Sequence, residues 1–232
     1  ISFQPLPPPI ASAAVEAGEA DLKLSFQPDP EFTAHSLAMD ALVAVVAPDN
    51  PTPEISTVDL VRVLAGEIDN WSAIGGPDMP IVLHALQPEL DMQIALSERF
   101  GAPLATAVLH PSQDSLAKAV ALDPWAIGIT GRANILPARE IPLTDSCGFP
   151  LLPTPLSVKA EDYPLALPVT LLAPKRRLPL MTREFLEFLR TPIAQEVIAG
   201  SGYIDRSATR GPMTEDGLRL INAIQGAGDD IT

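Results

Sequence analysis

Apolar and polar positions alternate along this chain in short blocks. Residues 41–48 (ALVAVVAP) are almost continuously apolar and stop at Pro48, the pattern of a strand covered on both faces. LPVTLLAP, at 167–174, has the same character and also ends in Ala-Pro. Shorter runs predict strands at 1–6, 21–26, 81–86, 106–110 and 126–130, with 28–36 as a connection containing Pro and Asp. Helical spacing lies between them. A short helix precedes a turn at Gly18, and Ser56 caps a second helix with Asp59 at its third position. That helix presents Leu60, Val61 and Leu64 on one face. Met92, Leu96 and Phe100 share a face of the next, and Leu116, Ala119 and Val120 a face of another. Residues 183–190 turn Phe185, Phe188 and Leu189 inward, Thr191-Pro192 opens a further helix, and a last one falls at about 214–225. Strand–helix alternation of this kind predicts an α/β protein with parallel sheets flanked by helices.

The composition narrows the choice of function. In 232 residues there are 15 Lys and Arg against 29 Asp and Glu, a net charge of −14. Nucleic acid and anionic membrane surfaces are therefore poor partners, since both are held by clusters of basic residues. With 47% hydrophobic residues the chain can bury a substantial core, while 26 prolines break it into short elements. No apolar stretch reaches the ~18 residues that span a bilayer.

Candidate chemistry is sparse. Cys147 is the single cysteine, so no intramolecular disulfide forms and a cysteine-based zinc site lacks partners. His35, His84 and His110 show no metal-binding spacing, and no motif implies a cofactor. A Cys147–His nucleophile pair is the remote enzymatic alternative, against which TDSCGF reads as a plain turn. His84 and His110 fall on strands that can bring them together in a sheet. Lys175-Arg176-Arg177 reads as a solvated turn and NWSAIGGPD (70–78) as a tight connection. The more specific lead is positional. In open α/β sheets ligands sit beyond the carboxyl ends of strands, where helix N-termini present free amides. Three such ends occur here: Ser25-Phe26-Gln27, the loop Gln87-Pro88-Glu89-Leu90 before a helix, and Thr130-Gly131-Arg132.

Several stretches in order, GEADLKLSFQP, AMDALVAVVAPDNP, LVRVLAGEIDNWSAIGGPDMPIVLH, AVALDPWAIGIT, EDYPLALPVTLLAP and FLEFLRTPIAQEVIAGSGYID, resemble the substrate-binding proteins of phosphate ABC transporters. The tail TEDGLRLINAIQGAG is similar to the segment that, in one subgroup, leads into an OmpA-like peptidoglycan-binding domain. The resemblance implies the two-lobed type II periplasmic-binding-protein fold. Lobe 1 would comprise 1–45 and 167–232, lobe 2 would comprise 46–166, and ALVAVVAP and LPVTLLAP would be the two crossing strands. It further implies a non-enzymatic transport protein of the Gram-negative periplasm, with phosphate or another small solute as ligand and an ABC permease or envelope protein as partner.

The departures from the family pattern bear on the ligand. Leu90, Asp91 and Met92 fall where the family carries Ser, Gly and Thr of its oxyanion loop, and Leu86 or Gln87 falls where Arg is expected. Glu89 and Asp91 would repel a phosphate at this helix start. Gln27 stands where a family Arg is common, and the family's first strand–helix unit is not found before Ile1, so lobe 1 is expected to be truncated. Two main readings follow. The first is solute binding between lobes by Ser25, Gln27, Gln87, Asp91 and Thr130. The second is an interaction or sensing module that has lost its ligand.

Overall fold

In a computed structural model, which describes residues 1–101 and 105–207, the Pro-rich start forms no strand at 1–6. Pro8 instead opens helix α1 (Pro8–Ala17), where its missing N–H costs nothing, and Gly18 closes it in the left-handed conformation (φ 82°). Val15 of α1 packs on Phe32 and Leu172, which fixes this helix against the sheet. The helix expected at about 214–225 lies outside the described residues.

The central sheet has seven strands. Its order is β1 (Lys23–Ser25), β10 (Ala166–Pro174), β2 (Phe32–Val46), β6 (Ala126–Gly131), β4 (Val82–Leu86) and β5 (Val108–His110), and β7 (Arg139–Glu140) also pairs with β2. A small second sheet joins β3 (Ile55–Ser56), β8 (Leu143–Thr144) and β9 (Pro150–Leu151). The β6–β4–β5 half is parallel, as crossover connections through α3 (Asp91–Phe100) and α4 (Gln113–Leu122) require. The β1–β10–β2 half is antiparallel.

Strand β2 runs for 15 residues and belongs to both halves. Residues 32–41 pair with β10, and residues 42–46 pair with β6, from Leu42 opposite Gly131 to Val46 opposite Ile127. The expected connection at 28–36 therefore ends early, at Phe32. Thr33, Ala34 and Ser36 are exposed, so this stretch lacks the two-faced apolar signature although its backbone is fully in the ladder. From Ala41 to Val46 every residue is completely buried, between helices whose inner faces carry Met92, Leu96, Leu116, Ala117 and Val120.

Helix α2 (Thr57–Leu64) starts at Ser56, whose Oγ accepts the Asp59 amide, and α5 (Pro155–Lys159) is a single short turn before β10. Helices α6 (Leu180–Phe188) and α7 (Pro192–Gly200) follow β10. In α6 the inward face is Thr182 and Leu186, while Phe188 is 50% exposed, contrary to its expected burial. The helix starts at Leu180, three residues before the sequence pattern indicates, and its inner stripe runs through Thr182 and Leu186 with Phe185 and Leu189 half-buried beside it. Trp71, in a short 3₁₀ turn, is fully buried and its indole donates to the Trp125 carbonyl at 2.9 Å.

Candidate functional site

The carboxyl ends of β4 and β6 face the end of β1, and the side chains there form two adjoining clusters. The first centres on Asp91, the opening residue of α3. Leu90 precedes it and supplies no side-chain cap, so the Asp91 carboxylate is the acidic group of this first turn, placed where the helix dipole favours it. The carboxylate does not point to open solvent. Its Oδ2 accepts the Phe26 amide at 2.6 Å and the Ser25 hydroxyl at 3.0 Å. Ser25 Oγ in turn accepts the Gln27 amide at 3.1 Å, and Gln27 Nε2 donates to Glu98 on α3 at 2.8 Å. Among the described residues Asp91 has no ion pair. The carboxylate is therefore held by a hydroxyl and a short charge-assisted amide bond at a helix start, a setting suited to an oxyanion.

The second cluster lies at the end of β6. Thr130 Oγ1 and the Gly131 amide both donate to Gln113 Oε1, at 3.2 and 2.9 Å, which turns the first residue of α4 toward the strand end. Asp40 on β2 completes the group. Its Oδ1 accepts the Ala41 amide at 2.8 Å, while Oδ2, fully buried, has no partner of good hydrogen-bond geometry among the described residues. Burial lifts the Asp40 carboxyl to about 6, and the nearby amides of Ala41, Ala133 and Arg132 and the Arg132 guanidinium only partly oppose that rise. Position 131 must be glycine for this arrangement. A methyl group there would fall on Asp40 Oδ2 and lie 2.8 Å from Gln113 Oε1 and 3.1 Å from the Met92 terminal carbon. The last contact shows that the start of α3 meets the end of β6, so the two clusters adjoin.

Of the five residues singled out in the sequence, Ser25, Gln27 and Asp91 come together, and Thr130 belongs to the neighbouring cluster. Gln87 enters through its backbone, its amide donating to the His110 carbonyl at 2.9 Å and its carbonyl accepting the Leu90 amide. Glu89 is exposed. Asp40 and Gln113 were missed by sequence reasoning. Asp40 had a signal, being the one charge inside an otherwise apolar run. Gln113 had none beyond its place after Ser112, the cap of α4.

His84 and His110 do meet across β4 and β5, with Nδ1 to Nε2 at 2.9 Å and rings stacked at 5.0 Å. Both imidazoles are held below their ordinary range, by burial in each case and for His84 also by the neighbouring ring. Cys147 is exposed on the turn between β8 and β9, in a different sheet from this pair, so the structure brings no thiol–imidazole couple together there. Lys175, Arg176 and Arg177 are exposed at the end of β10, where Lys175 and Arg176 donate to the carbonyls of Pro30 and Val15. Among the described residues no group of three or more His, Cys, Asp or Glu could hold a metal, and no helix is long and apolar enough to cross a membrane.

Comparison with known proteins identifies the family of the chain. Residues 10–192 match the family described as a PBP superfamily domain. The phosphate-binding protein PstS of Bacillus subtilis is 25% identical over 211 residues, covering 87% of this chain and 69% of that protein. PstS of Borreliella burgdorferi is 20% identical, covering 72% of this chain and 63% of its own. The chain thus spans about two thirds of these relatives. Among solved structures, a putative phosphate ABC transporter substrate-binding protein with bound phosphate from Clostridium perfringens has the same fold, with a TM-score of 0.77 at 18% identity, covering 85% of this chain and 84% of that one. An ABC-type phosphate transport receptor from Vibrio cholerae gives 0.68 at 21% identity, covering 83% and 82%.

Proposed function

This chain belongs to the PBP superfamily, and from that premise we propose that it is a non-enzymatic solute-binding-protein-like domain that receives a small oxyanion, phosphate first, between two lobes. In this reading lobe 1 is 1–45 and 167–232 and lobe 2 is 46–166, of which 102–104 and 208–232 lie outside the described residues. The observation that carries this reading is the convergence of the Ser25 hydroxyl and the Phe26 amide on one negatively charged group at the start of α3. Elements of opposite halves of the sheet meet there, which is the requirement for a ligand to draw the halves together. The residues that line the proposed site are Ser25, Gln27 and Asp91 at the first cluster, Thr130 at the second, and Gln87 at the loop between β4 and α3. The phosphate named in the descriptions of the relatives supports the choice of anion. The similarity of the tail to a segment preceding an OmpA-like domain supports a Gram-negative periplasmic setting, with an ABC permease or an envelope protein as the macromolecular partner.

Phosphate titration of refolded, ligand-stripped protein tests this. A ligand that binds only the folded state raises stability by RT ln(1 + [L]/Kd), so thermal unfolding with up to about 50 mM phosphate detects even millimolar binding. The expected result is a saturable rise in the unfolding midpoint with phosphate that exceeds the rise with equal sulfate. An equal, non-saturating response to both salts, in the wild type and in Asp91→Ala alike, overturns the reading.

A further inference from the structure

The Asp91 carboxylate holds the very donors that an incoming anion would need. We propose that it is an internal occupant of the anion site: a carboxylate carried by α3 that engages Ser25 and Phe26, closes the domain without ligand, and must be displaced before an external anion enters. The inference rests on the reading of the cleft given above and deepens it.

The geometry supports occupancy over a casual contact. Ser25 and Asp91 lie 66 positions apart in the chain, and the carboxylate accepts from both the side chain of one residue and the backbone of the next. The amide bond, at 2.6 Å, lies at the short end of charge-assisted hydrogen bonds. Two further bonds pin the far end of the same helix to the same half of the sheet, Gln27 to Glu98 and Arg99 to the Ala166 carbonyl. Helix α3 is thus stapled along its whole length, and Asp91 is the staple at the end where the helix amides begin. Beside it, next to Gly131 and Met92, lies the buried Asp40 carboxylate, a second acceptor rather than a donor for an incoming anion. An external oxyanion entering this space would meet the Asp91 charge at short range while its best donors were already taken. Removing the carboxylate frees a hydroxyl and an amide beside the start of α3.

The test compares wild type, Asp91→Ala and the isosteric Asp91→Asn, which preserves packing if the alanine variant folds poorly. Two readouts are needed, hydrogen exchange of the Phe26 amide and phosphate affinity by calorimetry with sulfate as control. The expected result is at least tenfold faster Phe26 exchange in Asp91→Ala and at least tenfold tighter phosphate binding in both variants. Unchanged Phe26 exchange overturns the inference. Measurable but equal phosphate affinity in all three proteins also overturns it while leaving the binding reading in place. Absence of binding by any of the three overturns that reading and the competition with it.

Discussion

Asp40 makes the fold itself pH-sensitive in a direction opposite to that of most carboxylates. Its side chain is fully buried, one oxygen has no partner of good hydrogen-bond geometry among the described residues, and its pKa rises from 3.8 to about 6. The folded state therefore binds a proton more tightly than the unfolded chain. The stabilisation this gives is fully present below pH 3.8 and is lost as pH rises through about 6. A shift of about two units corresponds to about 3 kcal/mol, most of it lost between about pH 4 and pH 7. Asp40→Asn keeps an acceptor for the Ala41 amide, removes the charge and does not titrate. Urea unfolding of both proteins at half-unit pH steps gives the difference in stability, in which the other titrating groups cancel. The expected difference opens in favour of Asp40→Asn by about 2–3 kcal/mol from pH 4 to pH 7, in proportion to one proton. A difference constant across that range would refute the argument, because the carboxyl would then titrate alike in the folded and unfolded chains.

Two other outcomes follow from side chains already described. The His84–His110 pair has both imidazoles lowered, so the unfolded chain takes up protons first and this contribution, fully present above about pH 6.5, is lost as pH falls. His110→Asn should flatten the acid limb of the stability curve below that pH, and a limb unchanged in slope would contradict the assignment. Tyr163 is buried and its hydroxyl donates to the Leu42 carbonyl at 2.8 Å. Tyr163→Phe should cost about 1–2 kcal/mol in urea unfolding, and a loss below 0.3 kcal/mol would show that the bond contributes little.

Much of the framework was legible because it rests on local pattern. The apolar run of β2, the Ser56 cap, and the strands at 82–86 and 126–131 follow from periodicity and capping chemistry. The first half of β2 was not legible, since its exposed Thr33, Ala34 and Ser36 satisfy a ladder without contributing apolar side chains. The site divides in the same way. Positions at strand ends and helix starts pointed to Ser25, Gln27 and Asp91. That Ser25 and Asp91 bond to each other is a contact between distant parts of the chain, which no local pattern encodes. Asp91 was expected to repel an anion, and the structure adds that its carboxylate accepts from the Ser25 hydroxyl and the Phe26 amide. Gly131 entered only as part of the strand end Thr130-Gly131-Arg132, and the proximity of Asp40 and Gln113 explains why it bears no side chain.

The 15-residue β2 has a mechanical consequence. Its pairing with β10 runs to Ala41 on one edge, and its pairing with β6 begins at Leu42 on the other. The first edge stays bonded beyond that point, through the Leu42 amide to the Leu165 carbonyl and through β7 at Val45 and Val46, and the second is bonded before it, where Met39 bridges Ile204. The antiparallel and parallel halves of the sheet are therefore joined through Asp40 by one backbone braced on both sides.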